Sequence, residues 1–127
     1  MKPIVFYIDD SDDALELAKY IVKGDERFEL VLLQNTEQLN KALKTTKPAA
    51  ALIDLNLGND LTGTIVALKL RTKYPELPIA IYTSYEKGRV QKLLINLQEK
   101  MGKMETWQKV DVGVDNLADC IAELLSG

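Results

Sequence analysis

The sequence predicts an α/β fold, a doubly wound parallel sheet of five strands flanked by five helices. Three observations predict it. Short apolar runs recur along the chain, and they are continuous rather than alternating, which marks strands buried on both faces. Segments with apolar residues at helical spacing separate them, and strands alternating with amphipathic helices build parallel sheets through right-handed crossovers. No repeat, low-complexity tract or linker interrupts the alternation, and 127 residues fit one domain, residues 1–127.

Each element has its own signature. Lys2–Asp9 is an apolar strand ending in acids. Asp12–Lys23 carries Ala14, Leu17, Ala18, Ile21 and Val22 at helical spacing, and Gly24 closes it. Phe28–Gln34 is the second strand. Asn35 or Thr36 caps a short helix through Lys44, with Leu39 and Leu43 inward. Pro48 marks a turn, and Ala49–Asp54 is a strand that again ends in an acid. Leu61–Lys73 is a helix with Leu61, Ile65 and Leu68 inward, broken at Tyr74-Pro75. Leu77–Tyr82 is the fourth strand, leading to Thr83-Ser84, either of which is a candidate cap for the next helix. That helix, Glu86–Met101, places Val90, Leu93, Leu94 and Leu97 on one face. Glu105–Lys109 is a short strand. Asp115 or Asn116 opens a last helix with Leu117, Cys120, Ile121 and Leu124 inward.

Composition removes whole classes of chemistry. With no histidine and one cysteine, Cys120, there is no histidine-based triad, no zinc site and no intramolecular disulfide. Cys120 is read as packing. A net charge of −3 with mixed signs argues against a nucleic-acid surface. The apolar runs are too short to span a bilayer, and the N-terminus lacks a signal-peptide pattern, so a soluble, cytoplasmic protein is expected.

In parallel α/β sheets the ligand crevice lies at the carboxyl ends of the strands. Here those ends carry Asp9-Asp10, Asp54, Thr83-Ser84 and Lys109. Clustered carboxylates without histidine or thiol favour a hard cation, and Mg²⁺ suits one or two carboxylates with water and phosphate. A carboxylate can also attack phosphorus to give an aspartyl phosphate. Phosphoryl transfer then depends on charge neutralisation and positioning, for which a lysine and a hydroxyl are suitable. Asp12 and Asp13 belong instead to the first turn of the helix capped by Ser11.

The stretches "YIDDSDD", "ALIDLNLGNDLTG", "IAIYTSY" and "WQKVD", in this order, make the whole chain resemble a response-regulator receiver domain, the phospho-acceptor module of two-component signalling. The resemblance implies a flavodoxin-like sheet in order 2-1-3-4-5. It implies Asp54 as phospho-acceptor, Asp10 as a direct Mg²⁺ ligand and Asp9 as an acid acting on the metal through water. The metal set it implies is Asp9, Asp10, Asp54 and the backbone carbonyl of Asn56. Thr83 matches the switch hydroxyl, Ser84 the small residue beside it, and Lys109 the phosphate-pairing lysine. The implied partners are a histidine kinase or phosphotransfer protein and a downstream protein, with no nucleic acid and no membrane. The domain is not an enzyme acting on outside substrates.

The sequence also departs from the family pattern. Val110 stands where a cis-proline is common, so either a trans bond or a strained cis one is expected. Thr106 replaces the rotating aromatic residue, and its role is absent or taken by a neighbour. The connection through "EKMGKME" is long, Gly58 stands where a proline is common, and Gly63 comes one place late. The departures on the fourth-helix, fifth-strand and fifth-helix face keep open an alternative, a receiver-like binding module that works without phosphorylation.

Overall fold

The structure, a computed structural model, describes residues 2–55, 57, 60–95 and 104–126. Its elements in chain order are β1 (Ile4–Ile8), α1 (Asp12–Val22), β2 (Glu29–Leu33), α2 (Thr36–Thr45) and β3 (Ala50–Ile53). They continue with α3 (Asp60–Lys73), β4 (Ile79–Thr83), α4 (Lys87–Leu94), β5 (Glu105–Gln108) and α5 (Lys109–Ser126). The strands form one five-stranded sheet in the order β2-β1-β3-β4-β5, every neighbouring pair parallel.

Two apolar layers cover the sheet, as its continuous strands require. On β1, Phe6 and Ile8 point to one side and pack with Leu39 and Leu43 of α2, Val66, Ala67 and Leu70 of α3, and Val90 and Leu94 of α4. Val5 and Tyr7 point to the other side, with Leu15 and Ala18 of α1 and Leu117, Ile121 and Leu124 of α5. A fully buried leucine or isoleucine contributes about 1.5–3 kcal/mol. An exposed ion pair contributes about 0–1 kcal/mol, so these layers outweigh surface links such as Arg27–Asp119 at 3.0 Å.

Local signals set the ends of several elements. Ser11 is the N-cap of α1, its hydroxyl accepting the Ala14 N–H at 3.2 Å, with Asp12 and Asp13 in the first turn. Gly24 follows the helix at φ 84, a conformation glycine adopts without penalty. Asn35 rather than Thr36 caps α2, accepting the Gln38 N–H at 2.9 Å.

Three expectations about helix faces and ends need correction. Leu17 is 50% exposed and Leu15 is buried in its place, because the apolar arc of α1 is wider than the stripe that meets α5 and the sheet. Ile65 is 61% exposed, and the buried face of α3 runs Gly63, Val66, Ala67, Leu70. Gly63 sets that rotation, since its Cα lies against the backbone of Asp54 and Leu55. Residues at +3, +4 and +7 then follow it inward, and the residue at +2 cannot. After β5 a helical turn opens at Lys109, the backbone leaves helical geometry at Gly113 (φ 68, ψ 172), and the last helix runs on from that break, in line with the expected start at Asp115 or Asn116. Lys109 therefore opens α5 instead of closing β5. The expected roles of Asn56, Gly58, Leu97 and the loop through Met101, and the side-chain placements of Leu61, Leu93 and Asp115, lie outside the described residues.

Candidate functional site

Strand order reverses beside β1, which lies between β2 and β3, and this creates a crevice at the carboxyl ends. The ladder continues past the strands there. Asp9 N–H donates to the Leu33 carbonyl and Asp54 N–H to the Ile8 carbonyl, both at 2.9 Å. These two bonds fix the backbones of both acids side by side. Asp10 follows Asp9 and is exposed, whereas Asp9 and Asp54 are buried. The three carboxylates bring oxygens within 4.8 Å of one another.

Asp9 is heavily engaged. Its Oδ1 accepts the Ser11 N–H at 3.0 Å. Its Oδ2 accepts both the Tyr7 hydroxyl at 2.6 Å and the Lys109 ammonium at 2.7 Å. The same ammonium lies 3.6 Å from Asp54 Oδ2 and 5.4 Å from the centre of the Tyr82 ring. Burial works against the Lys109 charge, but the hydrogen bond to Asp9 and the nearby Asp54 outweigh it and hold the ammonium above its usual pKa. Burial, reinforced by the Asp9 carboxylate, pushes the Tyr7 phenol far above its ordinary value, so it stays a donor.

Three carboxylates gather around the Lys109 ammonium, so like charges lie close together in this cluster. Repulsion between like charges this close is relieved by a counter-cation. The donor set is all hard oxygen, with one exposed acid at the mouth and two buried ones behind. It fits Mg²⁺, and it does not suit a metal that needs nitrogen or sulfur. Asp9, Asp10 and Asp54 are the described residues able to hold such an ion.

Thr83 ends β4, is fully buried, and accepts the Tyr85 N–H at 3.2 Å. Neither it nor the exposed Ser84 caps α4. The N-cap position is Glu86, and no side chain caps the helix there. The chain between Thr83 and α4 is held from two sides: Gln108 Nε2 donates to the Tyr85 carbonyl at 2.9 Å, and the Arg89 guanidinium lies 3.9 Å over the Tyr85 ring. The bond between Lys109 and Val110 is trans, and Val110 projects outward, 85% exposed.

An aromatic neighbour does stand beside Thr106. Trp107 packs edge-on against Tyr82 (6.5 Å, 79°), and Tyr82 packs edge-on against Tyr7 (5.7 Å, 64°). This row lies on the α1/α5 side of the sheet, opposite to the side Thr106 takes. Tyr7 and Gln108 are the site residues that sequence reasoning missed. The signal for Tyr7 was available, since a residue two places before Asp9 in a strand shares its face.

The protein-family model that matches the chain is the response regulator receiver domain, over residues 5–109. A response regulator from Thermotoga maritima has a TM-score of 0.80 at 17% identity, covering all of both chains. A CheY-like receiver domain protein from Methanospirillum hungatei JF-1 has a TM-score of 0.78 at 20% identity, over 99% of this chain and 95% of that one. The Thermotoga maritima response regulator TrrA, determined in complex with Mg²⁺–BeF, has a TM-score of 0.72 at 21% identity, over 98% and 99%. Likeness at these identities shows the fold. No curated protein matches. Among the described residues no helix is long and apolar enough to cross a membrane.

Proposed function

Because this chain belongs to the response regulator receiver domain family, a family of signalling modules rather than catalytic enzymes, we propose that it accepts a phosphoryl group on Asp54. The observation that carries this reading is the placement of Asp54: a buried carboxylate beside Asp9 and Asp10, with one ammonium 3.6 Å from its Oδ2. That is a nucleophile with its charge partners already in position.

The donor is a phosphohistidine on a histidine kinase or phosphotransfer protein, met in the cytoplasm. An Asp54 oxygen attacks phosphorus, the P–N bond breaks as the P–O bond forms, and the imidazole nitrogen keeps the electron pair and takes up a proton. Mg²⁺ would be held by Asp10, Asp54 and the Asn56 carbonyl, with Asp9 acting through water, and would supply positive charge to the phosphoryl oxygens. Lys109 supplies a second positive partner, and the Thr83 hydroxyl donates to a phosphoryl oxygen. The phosphoryl group adds about −2 charge to the pocket. It draws Thr83 and Lys109 toward Asp54 and shifts a two-state equilibrium of α4 and β5 that a downstream protein reads. The unit that does this is residues 1–127 as a whole.

Intact-mass measurement after incubation with acetyl phosphate tests the proposal. One phosphoryl adduct is expected with Mg²⁺, none without it, and none in Asp54→Asn. An adduct that persists in Asp54→Asn removes Asp54 as the acceptor. Asp10→Ala is expected to weaken Mg²⁺ binding by at least tenfold in a calorimetric titration, because it deletes a whole charged ligand. Unchanged affinity there takes Asp10 out of the metal set.

A further inference from the structure

Lys109 cannot serve Asp9 and a phosphoryl group on Asp54 equally well at one time. Its ammonium now favours Asp9, at 2.7 Å against 3.6 Å to Asp54. On the reading above, phosphorylation pulls it the other way. Asp9 is fully buried, and a buried carboxylate that loses its donor carries the full cost of the unsatisfied charge. The cost of releasing Lys109 therefore depends on what else holds Asp9 Oδ2.

The Tyr7 hydroxyl holds the same oxygen at 2.6 Å. Tyr7 is itself 1% exposed, on the middle strand of the sheet, with its ring edge-on to Tyr82. That packing holds the ring in place, so its hydroxyl stays with Asp9 when the lysine moves. Ser11 N–H serves the other oxygen and cannot replace it.

We propose that Tyr7 is a positioning residue of the phospho-acceptor site: its hydroxyl keeps Asp9 satisfied and so frees Lys109 to transfer to a phosphoryl group on Asp54. This rests on Asp54 being the acceptor. It separates two properties that a loosened site would lose together. Binding of Mg²⁺ alone leaves Lys109 with Asp9, so Tyr7 does not assist it. Removing the hydroxyl leaves Asp9 less neutralised, and Mg²⁺ binds as tightly as before or more tightly. Binding of a phosphoryl group or its analogue requires the transfer and becomes harder.

The test uses the whole chain with beryllofluoride as the phosphoryl analogue, read by the fluorescence of Trp107. Tyr7→Phe keeps the ring and removes one hydrogen bond to a charged acceptor, worth a factor of roughly ten or more. In Tyr7→Phe beryllofluoride affinity at saturating Mg²⁺ is expected to fall about five- to tenfold. Affinity for Mg²⁺ alone is expected to stay equal or rise. Tyr20→Phe, exposed on α1 away from the acids, is expected to change neither. Equal beryllofluoride affinity in wild type and Tyr7→Phe overturns the proposal, and so does a parallel loss of both affinities, which marks a structural role only. Failure of the wild type to bind beryllofluoride overturns the acceptor reading and this proposal with it. If Tyr7→Phe does not fold, the wild type still decides by NMR. The Tyr7 hydroxyl proton should stay hydrogen-bonded and protected from exchange with water on beryllofluoride binding while the Lys109 side-chain nitrogen moves. Loss of that protection overturns the proposal.

Discussion

Gly63→Ala is expected to lower stability by about 3 kcal/mol, the upper end of what overpacking a filled site costs. A Cβ at this position would lie 2.5 Å from Leu55 Cα, 2.6 Å from the Asp54 carbonyl oxygen and 2.7 Å from the Leu55 carbonyl oxygen. All three are backbone atoms, so no side chain can rotate away. Either α3 lifts from the sheet, uncovering Val66, Ala67 and Leu70, or the segment after β3 shifts. The second outcome moves the Asp54 backbone, so the damage reaches the acid cluster as well as the core. Urea unfolding followed by Trp107 fluorescence measures the loss, and Mg²⁺ titration of the folded variant shows whether the acids have moved. A loss below about 1 kcal/mol would mean that α3 can slide on the sheet at little cost, against the close backbone packing described above.

Lys109→Met is expected to have the next largest effect, a loss of about 2 kcal/mol at neutral pH. Breaking a buried ion pair by removing one partner typically costs about 3–5 kcal/mol. The loss here is smaller because the Lys109 side chain is 24% exposed and Asp9 keeps the donors of Tyr7 and Ser11. The pH dependence has a definite sign. The Lys109 ammonium is held above its ordinary value of 10.5 in the folded protein. Its contribution is therefore fully present below that value and is lost as pH rises through the raised one. The gap between the wild-type and variant midpoints should stay open to about pH 10 and close above it. Added Mg²⁺ should narrow the gap at neutral pH by restoring positive charge among the three carboxylates. Equal midpoints at neutral pH would mean that desolvation of the lysine cancels its attraction to Asp9.

The sheet and the acid cluster were legible because they follow from one rule. Buried parallel strands send their carboxyl ends to one edge, and Asp9, Asp10, Asp54 and Thr83 sit just there. Lys109 was legible as a partner, but its place as the first residue of α5 was not, because the break in that helix is a backbone property of Gly113. Helix faces were less legible. The apolar arcs of α1 and α3 are wider than the stripes they bury, and the choice among Leu15, Leu17, Ile65 and Val66 depends on what each helix meets. Gly63 decides it for α3, through a contact between segments that periodicity within one segment cannot register. The link from Tyr7 to Asp9 needed only the two-residue period of a strand, but Tyr7 lies inside an apolar run and reads there as packing.

The hydrogen bond between Asp9 and Lys109 joins residues 100 positions apart. A ribosome delivers the three carboxylates well before their ammonium. While the chain is being made, β1, β2 and β3 can pair around an acid cluster that has no lysine. The segment from Lys109 onward brings two driving forces at once: Leu117, Ile121 and Leu124 cover the open face of the sheet beside α1, and Lys109 enters the field of the acids. Electrostatic attraction thus guides the same docking step that apolar burial completes. The acid pocket is therefore complete only once the segment that starts at Lys109 has docked, so the pocket and that face of the core form together.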